Sequence, residues 1–73
     1  NLFPNPAMNK LTLQSNSNNL VNYSIYDVTG RKIHHGNFTK SKTVDVSEYS
    51  GGTYIISFES DSDIIHKKFM IEK

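Results

Sequence analysis

The stretch "GGTYIISFES", Gly51 to Ser60, decides the fold. Two glycines punctuate the chain, and Tyr54, Ile56 and Phe58 then fall at alternate positions of a run rich in β-formers. Successive side chains on a strand point to opposite faces, so these three share one buried face and the run reads as the central strand of a sheet. Beyond it, "DSD" (Asp61 to Asp63) reads as a hairpin tip, and "IIHKKFMIEK" returns with Ile65, Phe69 and Ile71 on one parity. Lys67 shares that parity. The last strand is therefore an edge, a bulged strand, or one not buried along its whole length.

Working back toward the start, "KTVDV" puts Val44 and Val46 on a common face. "RKIHHGNF" reads as a weaker strand around Ile33 with an irregularity at Gly36, able to pair with "KTVDV" through the polar link "NFTKSK". In "LVNYSIYDV", Val21, Tyr23 and Ile25 alternate, after which Tyr26 and Val28 shift the apolar residues to the other parity. Such a switch implies a bulge or two-sided burial. "YDVTGRKI" (Tyr26 to Ile33) has two readings. As a hairpin corner, Asp27 and Thr29 bond their own backbone, Gly30 supplies a positive φ, and Arg31 and Lys32 restart an edge strand. Alternatively, a partner reads it. "KLTLQ" sets Leu11 and Leu13 on one face, "SNSNN" (Ser15 to Asn19) is a solvated turn, and Pro4 and Pro6 around Asn5 make a stiff extended opening. No stretch carries an apolar i, i+3, i+4 stripe, so the expected fold is an all-β sandwich of about seven short antiparallel strands.

Composition narrows the function. A chain of 73 residues makes one domain, spanning 1–73, and a core of this size supplies about 3–5 kcal/mol of net stability. Apolar residues are 36% of the chain and aromatics 11%, so Tyr and Phe must fill much of the interior. The net charge of +1 is too weak a field to argue for nucleic acid or an anionic membrane. Without cysteine there is no disulfide framework and no thiolate zinc site. No apolar run approaches a membrane span, which argues against direct insertion, and a start at Asn1 suggests a piece cut from a longer chain.

Sites of chemistry are scarce. His34 and His35 are neighbours on a strand and point to opposite faces, and adding His66 gives no ligand spacing, so no metal is expected. "DSD" offers too few oxygens for calcium. Asp27, Asp45, Glu48, Asp61 and Asp63, with Ser47 or Ser57, have no deep cleft in which to shift a pKa, so no catalysis and no cofactor are expected. Asn22-Tyr23-Ser24 and Asn37-Phe38-Thr39 match the glycosylation sequon, a pattern frequent by chance. Tyr26, Phe38 and Tyr49 are candidates for an exposed aromatic platform, which would make the chain a carbohydrate-binding or adhesive module appended to a secreted enzyme; aromatics more often fill a core. Lys67 and Lys68 guard the last strand against stray pairing, or help a receptor add a strand to it, with Phe69, Ile71 and the lysines giving specificity.

Four motifs occur together and in order: "FPNP", "YDVTGRK", "VDVSEYSGGTYII" and "HKKFMIEK". In this they resemble, over essentially the whole chain, the type A C-terminal sorting domains of the type IX secretion system. The resemblance implies an immunoglobulin-like β-sandwich at the C-terminus of exported proteins of Bacteroidota, a signal without catalysis. It implies passage through the periplasm and the outer-membrane translocon, cleavage by a surface sortase-like peptidase, and cargo left at the cell surface or released outside the cell. Pro4, Asn5 and Pro6 would mark the start of the domain, Tyr26, Asp27 and Gly30 its middle corner, and Gly52 and Tyr54 the head of the central strand. Lys67, Lys68, Phe69, Met70, Ile71 and Lys73 would form the terminal strand that the machinery needs. Where the family usually has leucine followed by Pro or Ala before its glycine, this chain has Tyr49, Ser50 and Gly51, with the aromatic expected in the same pocket. An unpaired edge on so small a sandwich also makes an edge-paired or domain-swapped dimer an expected assembly.

Overall fold

The structure, a computed structural model, describes residues 2–3, 8–16 and 18–73, with side chains from Met8 onward. Pro4, Asn5 and Pro6 lie outside the described residues. The chain forms β1 (Leu2–Phe3), β2 (Lys10–Gln14), β3 (Val21–Tyr26), β4 (Lys32–Phe38), β5 (Ser41–Asp45), β6 (Gly52–Ser60) and β7 (Asp63–Ile71). All pairings are antiparallel, in a three-stranded sheet of order β1-β2-β5 and a four-stranded sheet of order β4-β3-β6-β7. This is an immunoglobulin-like sandwich. The expected strand count and the central position of the "TYIISF" strand are both borne out.

The alternating apolar residues close between the sheets. Leu11, Leu13, Val44 and Val46 from the smaller sheet and its continuation meet Val21, Tyr23, Ile25, Phe38, Tyr54, Ile56, Phe69 and Ile71 from the larger, all buried. No polar or charged residue is buried among those described. Aromatic rings gather at the two ends of this aliphatic centre. At one end Tyr23 meets Phe38 at 6.1 Å between centroids, and Phe38 meets Phe58 at 6.4 Å, both edge-on. At the other, Tyr54 stacks on Phe69 at 5.7 Å and Tyr49 tilts against Tyr54 at 5.6 Å, so Tyr49 does take the interior position expected of it. The Tyr54 hydroxyl donates to the Ser50 carbonyl at 2.7 Å, pinning the crossing from β5 to β6 in the way a tyrosine corner does.

Two local expectations are corrected, and of the two readings of the aromatics the core one holds. β4 and β5 do not pair: the chain crosses between sheets at Thr39 and Lys40, and β5 pairs with β2 instead. The physical reason is that Phe38 and Val44 both face the core from opposite sheets, which a β4–β5 hairpin would not allow. Lys40 makes the crossing with a positive φ of 73°. The irregularity of β4 is at Ile33, not Gly36. Ile25 pairs with His34 but Tyr26 with Lys32, leaving Ile33 as the extra residue, packed partly against the core. Tyr26 keeps the regular alternation of β3 and points outward, opposite Ile55. Gly36 sits in regular pairing with Tyr23, whose ring lies over it: a Cβ at position 36 would stand 2.9 Å from the Tyr23 hydroxyl and 3.1 Å from two ring carbons. The aromatic platform does not exist, because Phe38 is only 6% exposed and Tyr49 packs against the core.

Candidate recognition surface

Two regions singled out in the sequence are built at different places on the larger sheet. The first is the corner between β3 and β4. Asp27 Oδ1 accepts from the Thr29 hydroxyl at 2.6 Å, the Thr29 amide at 2.9 Å and the Arg31 amide at 3.1 Å. Backbone bonds from Gly30 N to Asp27 O and from Asp27 N to Arg31 O, each 3.0 Å, close the turn, and Gly30 carries it with a φ of 88°. The Thr29 hydroxyl, with the two amides and the Arg31 guanidinium in support, holds the Asp27 carboxyl below its ordinary range. Arg31 Nε lies 3.4 Å from Asp27 Oδ2 and is otherwise exposed. The hairpin-corner reading of this stretch thus accounts for Asp27, Thr29, Gly30 and Arg31, while Val28 stays exposed. Between this corner and Tyr49 and Tyr54 is an open hollow of about 410 Å³, edged by Arg31 and Glu48.

The second region is β7. It is the outer strand of its sheet, paired with β6 on one side in unbroken register from Gly52↔Ile71 to Ser60↔Asp63. Its other edge presents main-chain groups to solvent. Phe69 and Ile71 are 1% and 2% exposed and lie in the core, so their side chains are not available to a partner. What β7 offers outward is His66, Lys68 and Met70, all exposed, and Lys67 is exposed as well. Lys67 faces inward in register with Ile56, yet stays exposed on this outer strand, whereas Ile56 beside it on β6 is fully buried. Of the three possibilities left open for this strand, it is both an edge and incompletely covered, and it has no bulge. Lys73 follows the strand and donates its ammonium to the Ser47 carbonyl, which ties the end of β7 to the β5–β6 crossing.

The histidines are not brought together. His34 points inward and its Nε2 is 2.9 Å from the Tyr23 hydroxyl, whereas His35 and His66 occupy outward positions of β4 and β7. Asp45 receives the Ser47 amide at 2.9 Å, and its carboxyl is held low chiefly by the Ser47 hydroxyl. These carboxylates serve turns. Tyr49, packed against the core beside Tyr54, has its hydroxyl pushed up first by burial.

With the sandwich, its tyrosine corner and its free terminal edge described, the comparison with known families is decisive: the profile described as "Secretion system C-terminal sorting domain" matches residues 1–72. The chain belongs to that family. Domains of this family are the C-terminal sorting signals of type IX secretion, recognised by its machinery, and they mark proteins exported to the cell surface or the extracellular space. A sorting-signal family suggests a module without catalysis. The carbohydrate-binding alternative finds no support, and the platform it needed is part of the core. No curated protein matches the chain.

Proposed function

We propose that this sorting domain, a single unit over residues 1–73, is read through β7, whose free edge accepts a strand from the outer-membrane translocon. The observation that carries this is the combination of an unpaired nine-residue edge with His66, Lys67 and Lys68 exposed along it. Strand addition draws affinity from main-chain hydrogen bonds and specificity from side chains along the strand, here Lys68 and Met70 on one face and Lys67 on the other. Phe69 and Ile71 contribute by anchoring the strand. The middle corner, through Asp27 and Gly30, and the head of β6, through Gly52 and Tyr54, hold the sheet that β7 completes; Pro4, Asn5 and Pro6 mark where the sorting domain meets its cargo. A surface sortase-like peptidase then removes the domain, leaving the cargo attached or released.

The same edge would serve an edge-paired dimer, but two β7 strands paired antiparallel about Lys67 set cation opposite cation, which is unfavourable. An acidic strand from a different protein is the better complement. The test is export of a fluorescent reporter carrying a Sec signal and this chain, in a bacterium with a working type IX system. Lys67→Glu with Lys68→Glu should leave the domain folded by circular dichroism and strand the reporter in the periplasm. Surface delivery of the doubly substituted fusion at the parental level would sink the β7 reading.

A further inference from the structure

The registers align the outward side chains of the larger sheet in rows across all four strands. One row is Lys32–Tyr26–Ile55–Lys68 and the next is His35–Ser24–Ser57–His66. Each row ends in a lysine or a histidine on both edge strands, with an apolar pair or two hydroxyls between. Lys32 rests with its ammonium 6.0 Å from the centre of the Tyr26 ring. Ile55 and Met70 add exposed apolar surface at 40% and 52%. Glu59 is the only carboxylate at an outward position of these four strands. Asp27, Asp45, Glu48, Asp61, Asp63 and Glu72 lie in turns, at strand ends or between strands. A net charge near zero therefore conceals a segregated face, donor-rich and cationic at both margins.

We propose that this face is a docking surface separate from the β7 edge, and that its occupant is an extended acidic segment of a partner protein, laid across the strands. Three strand spacings separate Lys32 from Lys68, roughly 14 Å. Extended chain advances about 3.4 Å per residue, so the matching segment carries acids at its first and fifth positions. A bulky apolar residue between them meets Tyr26 and Ile55, and the serine row lies alongside with hydroxyl and imidazole groups for the segment's main chain or further carboxylates.

The probe is a fluorescein-labelled peptide with glutamates at the first and fifth positions and a phenylalanine midway, titrated against the 73-residue chain. Amide shifts should map to Tyr26, Ser24, Ser57 and Ile55. Lys32→Glu and Lys68→Glu should each weaken binding about threefold to fivefold, and together about tenfold or more, with affinity falling as salt rises. Lys42→Glu, on β5 of the other sheet, should change nothing. The amide spectrum of each variant reports directly whether it has folded. Lys68 belongs to both this face and the β7 edge, but Lys32 is on β4, so loss of peptide binding in Lys32→Glu reports on this face alone. Equal binding by a peptide with lysines in place of the glutamates, unaltered affinity in Lys32→Glu, or capture by phosphatidylglycerol vesicles without peptide binding would each overturn the proposal.

Discussion

Tyr23 and Gly36 form a contact with no room for a further atom. The ring fills the space a side chain at position 36 would need, and its hydroxyl is engaged by His34. Gly36→Ala should cost about 1–3 kcal/mol, read as a lower urea midpoint, because the ring can move only by disturbing that hydrogen bond and its packing on Phe38. Adding Tyr23→Phe removes the nearest atom and should return part of that loss. At the corner, Asp27 is held low by native contacts, so its contribution to stability is present above the ordinary carboxylate range and is lost as pH falls through the depressed value. A thermal melt of Asp27→Asn should therefore fall below the parent at about pH 6, the two melts converging toward about pH 2. The corner was legible because Asp, Thr and Gly carry local, short-range instructions. The role of Gly36 was not, because it depends on a ring from another strand.

Strands are where sequence reading succeeded and also where it stopped. Alternation identified every apolar position on β2, β3, β5 and β6 that reaches the core. It could not say which strand pairs with which, since β4 and β5 are consecutive in the chain yet belong to different sheets. Nor could it separate the two halves of β7. Ile65 shares the parity of Phe69 but is 53% exposed, because only one half of the strand is covered. Phe69→Ala should cost about 3–5 kcal/mol and Ile71→Ala about 2–5 kcal/mol, while Ile65→Ala should stay within about 1 kcal/mol in the same denaturation experiment. The candidate recognition residues divide along the same line: the inner members of the motif are structural, and only the outer ones remain for a partner.

For the molecule as a whole, deleting Lys67 to Lys73 is a poor probe of recognition. It removes two core residues along with the exposed lysines, and the expected outcome is a chain without native sheet signals by circular dichroism. Loss of export in such a deletion would follow from unfolding alone, whereas charge substitutions on β7 and on the outward face separate folding from recognition. That face escaped sequence reading because its residues are scattered over four strands and meet only through register.

The placement of Phe69 and Ile71 also has a temporal consequence. A chain leaving the ribosome or threading a membrane pore delivers its strands in order, and β7 is the last of them. Until it arrives, β6 has one flank open and the stack of Tyr54 on Phe69 is missing. Such an intermediate is a loose, protease-sensitive polymer rather than a finished shape. Folding thus makes the address conditional on β7: a domain in which this strand was never made, or was clipped away, has no finished sheet to be read.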